Sequence, residues 1–208
     1  ENHTKNSNYS AVVSGCKNVI GGTTSNSHCH LIVGGYNNCI INNSTTSTNA
    51  IVAGNSNCIN SNYGGYHFIG GGSLNDIDGG YTGYNVLGGG LENCIESDYG
   101  GCNNIVGGYQ NLITGTGTAN SSIVGGRNNC VNTGGQCSAI LGGCSNSIGH
   151  CWAFVLGCNI TTTAHKYTYM NNACVSGTTR TVSLVETSAR KHKECIIPLS
   201  TQLENIKA

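Results

Sequence analysis

The stretch IVGGYNNCI, residues 32–40, returns one period later as IVAGNSNCI, residues 51–59. Both copies follow the pattern apolar-apolar-Gly-Gly-x-x-Asn-x-Ile, with Ala in place of the first Gly in the second copy. Further copies of this pattern, some looser and the last one shortened, lie at residues 12–20, 69–77, 87–95, 105–113, 123–131, 140–148 and 154–160. A repeat of about 18 residues is typical of a solenoid, in which each repeat stacks on its neighbours.

Every copy contains an asparagine near its end. These asparagines are Asn18, Asn38, Asn57, Asn75, Asn93, Asn111, Asn129, Asn146 and Asn159. Because a solenoid places like residues on top of one another, we expect their side chains to form an internal hydrogen-bonded ladder. Asn also tolerates left-handed backbone angles, so we expect it to form the corner that follows the Gly-Gly corner.

The remaining features of the repeat favour strands. The chain has 32 Gly residues, which oppose helix formation, and its apolar pieces are short and rich in Ile and Val. The sequence therefore predicts an all-β fold, a parallel β-solenoid with two short strands and two turns in each coil. Aromatic residues make up only 6% of the chain, so the core is thin, and we expect copies to pack around an axis as a homotrimer.

Composition excludes several classes of partner. Lys and Arg total 9 and Asp and Glu total 9, so the chain has no net charge with which to attract nucleic acid. The apolar runs are only a few residues long, which predicts no membrane insertion. The chain starts at Glu1 without an apolar signal segment, and we expect it to be an internal piece of a longer protein.

Three phrases carry a resemblance to a known family. SSIVGGRNN (121–129), SAILGGCSNSI (138–148) and WAFVLGCNI (152–160) resemble the head repeats of trimeric autotransporter adhesins, and similar repeats of phage and giant-virus fibre proteins. The resemblance covers about residues 10–160. It implies a left-handed parallel β-roll in a homotrimer at a virion surface or outside the cell, attached to a glycan or protein receptor on the host surface.

The end of the chain carries a second resemblance. SARKHKECIIPLSTQLENIKA, residues 188–208, is similar to the start of the endosialidase-type intramolecular chaperone of phage tail spikes. This likeness implies a Ser188–Lys193 dyad that cleaves the chain once, after Ser188, and otherwise no enzyme activity. It divides the chain into solenoid (1–165), connecting strand segment (166–187) and truncated chaperone (188–208). The alternative is that residues 181–208 form a mixed strand and a short helix.

The HxH motif at His28 and His30 is a candidate metal site. Alternate residues of a strand share a face, so three copies could offer six imidazole nitrogens to a metal ion on the axis. The alternative interpretation is two polar residues in a loop. We expect no other cofactor.

Tyrosines near the turns are candidate receptor-binding residues, above all Tyr63, Tyr81 and Tyr99. Tyr presents a flat apolar ring with a polar end, which suits stacking on a sugar. The alternative is that these rings cover the corners of the coils and stack on one another. Acidic pairs among the repeats, at residues 76 and 78 or 96 and 98, could act as paired carboxylates or solvate the surface.

The 13 cysteines are an odd number, so at least one thiol is free or paired between chains. Four of them directly follow the repeat asparagine, which indicates a small, tolerant packing position: Cys39, Cys58, Cys94 and Cys130. A seven-residue spacing from Cys130 to Cys158 suggests stacked columns, which could form disulfides if the geometry allows. We expect free or partly oxidised buried thiols and no zinc site.

The leading functional hypothesis is a trimeric fibre segment that extends and attaches, folded with the help of a self-cleaving chaperone. One alternative is a structural filament without a receptor. Another is an ice-binding solenoid, although its threonines at 114–118 and 161–163 are local, whereas an ice-binding face repeats in every coil.

Overall fold

The computed structural model describes residues 1–6, 9–22, 29–44, 47–80, 83–99 and 101–172. Within these residues the chain is all-β and contains no helix. The chain alternates between two parallel sheets, so each coil contributes one strand to each of them. The predicted parallel β-solenoid with two short strands per coil is confirmed.

The first sheet, here called the odd sheet, has nine strands. They are β1 (His3–Thr4), β3 (Val19–Gly21), β5 (Cys39–Asn42), β7 (Cys58–Ser61), β9 (Asp76–Gly79), β11 (Cys94–Ser97), β13 (Leu112–Thr114), β15 (Cys130–Val131) and β17 (Ser147–Ile148). Each strand pairs in parallel with the strand of the next coil, and the pairing places like positions of successive repeats opposite each other, as in Ile40 opposite Ile59.

The second sheet, the even sheet, has ten strands. They are β2 (Ala11–Val12), β4 (Leu31–Ile32), β6 (Ala50–Ile51), β8 (Phe68–Ile69), β10 (Val86–Leu87), β12 (Asn104–Ile105), β14 (Ser122–Ile123), β16 (Ala139–Cys144), β18 (Phe154–Cys158) and β19 (Thr168–Met170). Stacking continues to the end of the described chain, since β19 pairs with β18 in parallel.

The core consists of two ladders of aliphatic side chains, one from each sheet. The odd-sheet ladder is Ile20, Ile40, Ile59, Ile77, Ile95, Ile113, Val131 and Ile148. The even-sheet ladder is Ile32, Ile51, Ile69, Leu87, Ile105, Ile123, Ile140 and Val155. All of these side chains are buried within the single chain. The core is as thin as the sequence predicts, but one chain closes it without help from a second copy.

The predicted asparagine ladder is present beside the odd sheet, and Asn93 shows its geometry. Its backbone N–H and its Nδ2 both donate to Oδ1 of Asn75, over 3.1 and 3.2 Å. Its Nδ2 also donates to the carbonyl oxygens of Gly89 and Gly108, each over 3.0 Å. Its own Oδ1 accepts from Asn111 in the next coil. One buried amide therefore joins its own coil to both neighbours.

The ladder runs from Asn18 to Asn146, and both of its ends are capped. At the first end, Oδ1 of Asn2 accepts from the backbone N–H of Asn18. At the other end, the backbone N–H of Ile160 donates to Oδ1 of Asn146 over 3.1 Å. The prediction that Asn159 is the last rung is therefore wrong. The last coil is shorter, so Ile160 takes the ladder position and Asn159 takes the left-handed position before it, with φ 58°.

Each coil turns the corner with two left-handed residues. The second Gly of the pattern is one of them, for example Gly90 with φ 95°. A Cβ atom on Gly90 would overlap the carbonyl oxygen of Gly108, so only glycine fits there. The other is the residue just before the ladder asparagine, for example Glu92 with φ 55°. The expectation that the asparagine itself takes the left-handed conformation is wrong, because its side chain is committed to the ladder.

We expect Asn93→Ala to lower the free energy of unfolding by about 3–5 kcal/mol, since it leaves several buried backbone groups without partners, each worth ~1–3 kcal/mol. The matched control is Asn104→Ala on the outer face of the even sheet, where Ala50 and Ala139 occupy the same position in other coils. Urea unfolding of the two variants measures the difference. Equal losses would show that the buried amide carries no special share of the stability.

Candidate functional site

The structure describes only some of the residues that the sequence singled out. Tyr63, Tyr99 and His30 lie within the described part of the chain. The proposed dyad of Ser188 and Lys193, together with Tyr81 and His28, lies outside the described residues.

His30 is buried at the start of the even sheet, with 2% of its surface exposed. Its Nδ1 accepts a hydrogen bond from the backbone N–H of Asn49 over 3.2 Å, and its Nε2 lies 3.2 Å from Nδ2 of Asn42. Both ring nitrogens therefore contact groups of this chain's own interior. Within the described residues, no group of three or more His, Cys, Asp or Glu side chains could hold a metal ion. The axial metal at His28 and His30 stays a prediction.

His30 belongs to a second buried polar ladder, beside the even sheet, which the sequence analysis missed. Its members are Ser10, His30, Asn49, His67, Asn85, Asn103, Ser121 and Ser138. As in the asparagine ladder, a side-chain acceptor receives the backbone N–H of the next coil at most steps: Oδ1 of Asn85 accepts from Asn103 over 3.1 Å. The steps from His67 to Asn85 and from Ser121 to Ser138 lack this bond. The signal was present in the sequence, because each of these residues lies two positions before an aliphatic residue of the core, as Asn does in the repeat pattern.

His67 is the weak point of this second ladder. It is 2% exposed, and neither of its ring nitrogens has a hydrogen-bond partner. In the preceding coil, Oγ of Ser47 and Nδ2 of Asn49 are also buried without partners. Cβ atoms on Gly65 or Gly79 would overlap the imidazole, so these two glycines make room for it. Burial lowers the pKa of His67 to about 4.

Asp76, at the start of β9, has the opposite shift. Burial, followed by the charges of Asp78 and Glu96, raises its pKa to about 6. As the pH falls from about 6 to 4, the folded chain takes up a proton at Asp76 before the unfolded chain does, which adds stability. As the pH falls from about 6.5 to 4, the unfolded chain takes up a proton at His67 that the folded chain refuses, which removes stability. The two effects oppose each other in the parent protein.

Replacing either Asp76 or His67 should reveal the effect of the other residue on the pH dependence of stability. In Asp76→Asn, we expect the free energy of unfolding to fall by up to about 3 kcal/mol between pH 6.5 and pH 4, because the opposing protonation of Asp76 is then removed. In His67→Asn, which keeps the second ladder polar, we expect stability to rise over the same range. Urea unfolding at several pH values measures both profiles, and parallel profiles in the two variants would contradict this assignment.

The turns that lead from the odd sheet to the even sheet carry an exposed aromatic surface. The rings of Tyr66 and Tyr84 stack with their centroids 5.1 Å apart and their planes at 6°. Tyr63 and Tyr99, on turns of the same kind, are about 60% exposed, at 59% and 63%. The alternative that these tyrosines stack on one another is thus confirmed for one pair, and the stacked rings still face outward.

Carboxylates lie on or directly after the odd-sheet strands that lead into these turns. Asp78 and Glu96 are opposite each other on β9 and β11, and Asp98 directly precedes Tyr99. Together with threonines of the next coils, these three carboxylates line a shallow depression of about 250 Å³. We call Tyr63, Tyr66, Tyr84 and Tyr99 with Asp78, Glu96 and Asp98 the tyrosine–acid surface. Aromatic faces for stacking and carboxylate oxygens that accept hydroxyl hydrogen bonds suit a polyhydroxylated ligand.

The outer face of the even sheet carries no charged residue in its outward columns, and most of its outward side chains are apolar. Two columns of side chains face outward there, one before and one after the buried ladder. The first column is Ala11, Leu31, Ala50, Phe68, Val86, Asn104, Ser122, Ala139, Phe154 and Thr168. The second column is Val13, Val33, Val52, Gly70, Gly88, Val106, Val124, Leu141, Leu156 and Met170. The register shifts at Leu141, so that Leu156 pairs with Gly142. We call these two columns the apolar stripe.

One thiol–imidazole contact was also missed. Sγ and the backbone N–H of Cys151 both lie 3.1 Å from Nδ1 of His165, whose ring packs edge-on against His150 with centroids 4.9 Å apart. No sequence signal indicates this contact, because the two residues meet only when the last coils stack.

Comparisons with known proteins do not assign the chain to a family. No protein-family model matches it, and no curated protein matches it. No described residues form a helix long and apolar enough to cross a membrane.

Proposed function

We propose that this chain is a segment of a homotrimeric fibre, exposed at a virion surface or outside the cell, that serves extension and attachment. The observation that supports the trimer is the apolar stripe. Exposed valines, leucines and phenylalanines follow one another there from coil to coil, and neither column contains a charged residue.

The stripe is large enough for a specific interface. Its larger side chains are about 40–65% exposed, for example 38% for Val33, 52% for Leu141 and 66% for Val13. At roughly 70 Å² for each such side chain, the stripe offers on the order of 800 Å², whereas the largest apolar patch on a monomer is about 300–600 Å². A standard interface buries about 800 Å² on each partner, so the whole stripe matches one two-fold interface, whereas a ring of three divides it between two contacts of roughly 400 Å² each.

The two columns also fit a rotational assembly. If the first column of one copy packs against the second column of the next copy, the contact is head-to-tail, and such contacts form a ring around an axis when the rotation between copies closes. Three copies would bury all three stripes beside the axis and leave each tyrosine–acid surface outside. A two-fold dimer, in which both columns face themselves, is the competing arrangement.

A charge in the stripe should break the assembly. We expect the full-length chain to have the mass of a trimer by light scattering after size exclusion, and Val124→Glu to shift the mass to that of a monomer, since three carboxylates would be buried near the axis. The matched control is Leu112→Glu on the outer face of the odd sheet, which should stay trimeric. A parent chain that is folded and monomeric would contradict the proposal, and a dimer mass would support the two-fold arrangement instead.

Attachment rests on the tyrosine–acid surface. We propose that it binds a glycan or a protein receptor of the host surface, with stacking on the tyrosine rings and hydroxyl hydrogen bonds to Asp78, Glu96 and Asp98. In a structural filament without a receptor, the tyrosine–acid surface would contact only solvent.

Replacing Tyr66 and Tyr84 together by Ala should reduce binding to a glycan array and to host cells at least tenfold, because stacking on aromatic rings contributes about 1–3 kcal/mol. Tyr109→Ala, on a different turn of the coil, is the matched control and should bind as the parent does. Unchanged binding in the double variant would favour the structural filament, or a receptor site elsewhere on the fibre.

Self-cleavage after Ser188 remains part of this proposal on the strength of the sequence resemblance alone. It would act once per chain and release the chaperone segment after assembly. Ice binding is not favoured, because the outward columns of both sheets contain few threonines.

A further inference from the structure

We propose that Cys39 with Cys58 and Cys144 with Cys158 are oxidation sites, each of which forms a disulfide that covalently joins two successive coils. All four thiols are free in the structure. The inference rests on the stacking of like residues and does not depend on trimer formation.

Cys39 and Cys58 face each other on adjacent strands. They are directly paired in the parallel register of β5 and β7, on the outer face of the odd sheet. Neighbouring strands lie about 4.8 Å apart, which falls within the Cα separations of ~4.4–6.8 Å that disulfides span. Both side chains are half-buried, so a small oxidant can reach them.

The two thiols of this pair already interact. A hydrogen bond between them lowers the pKa of Cys39 and raises the pKa of Cys58. Cys39 is therefore the thiol of the pair that loses its proton more readily. This difference makes Cys39 the attacking sulfur and Cys58 the resolving sulfur.

Cys144 and Cys158 form the second pair. They are paired in register at the ends of β16 and β18. The backbone N–H of Cys144 donates to Sγ of Cys158 over 3.1 Å, which places that sulfur over the neighbouring strand. The hydrogen bond with Cys158 raises the pKa of the Cys144 thiol. Glycines with positive φ precede both residues, Gly143 with φ 91° and Gly157 with φ 151°.

Two other cysteines of the Cys39 column lack such a partner. Cys94 is paired with Asp76 on one side and with Leu112 on the other. Cys130 is paired with Leu112 and with Ser147. These two thiols have the same place in the coil as Cys39 and Cys58, so they are internal controls for everything except the neighbouring sulfur.

The reaction needs a two-electron oxidant, which a small-molecule disulfide supplies. The Cys39 thiolate attacks one sulfur of oxidised glutathione, and one glutathione thiolate leaves. The Cys58 thiol then loses its proton and attacks the sulfur of Cys39, and the second glutathione leaves. Two protein thiols become one disulfide, and one oxidised glutathione becomes two molecules of reduced glutathione.

The test treats the folded full-length chain with oxidised glutathione, blocks remaining thiols at acid pH and maps peptic peptides by mass. We expect peptides linked between Cys39 and Cys58 and between Cys144 and Cys158, whereas Cys94 and Cys130 stay unlinked. The oxidised chain should melt at a higher temperature than the reduced chain, because each bond closes a loop of the unfolded state, and a reductant should reverse the shift.

The variant Cys58→Ser tests the two steps separately, because it keeps the attacking thiol of Cys39 and removes the thiol that resolves the mixed disulfide. In this variant Cys39 should accumulate as a mixed disulfide with glutathione, and the Cys39–Cys58 link should vanish while the Cys144–Cys158 link remains. The proposal is overturned if the folded parent chain shows only mixed disulfides at Cys39 and Cys144. It is also overturned if Cys94 and Cys130 enter links as often as the paired cysteines do.

Discussion

The buried amide of the ladder asparagine is the interaction on which the rest of the structure depends. A coil of this size buries one aliphatic residue from each sheet, too little to order its turns by hydrophobic contact alone. The Asn93 side chain satisfies backbone groups of its own coil and of both neighbours. A shift of one residue would leave all of these groups unpaired, so the ladder holds the coils in one register.

Constant register turns a repeat in the sequence into columns on the surface. Side chains of one kind that are far apart in the sequence lie close together along the solenoid axis, because residues about 18 positions apart become neighbours. The Tyr66–Tyr84 stack, the Asp78–Glu96 pair and the Cys39–Cys58 pair all arise in this way. So does the apolar stripe, in which no short segment of sequence is unusually apolar. The length of the repeat therefore determines which side chains lie next to one another on the surface of this protein.

The sequence predicts the ladder in which the same residue recurs in every coil. It does not predict the ladder in which different residues play the same hydrogen-bonding role. Gly and Asn recur in the first ladder, so the period, the glycine corner and the hydrogen-bonded column could all be predicted. The second ladder was missed because His30, Asn49 and Ser138 differ in identity, although each accepts a hydrogen bond from the backbone of the next coil. Asn159 was misassigned because the last coil is shorter, and a pattern match does not show which residue stacks on Asn146.

Because one chain closes its own core, completing the core is not a reason for copies to associate. A thin solenoid was expected to need other copies to complete its core, yet the two aliphatic ladders are fully buried within one chain. Any association must then be driven by the outer surface, and the apolar stripe is the face that gains from being covered. A chain of this kind can complete its coils first and associate afterwards. Charge on the stripe would then change assembly and leave the fold intact, whereas loss of a ladder asparagine would change both.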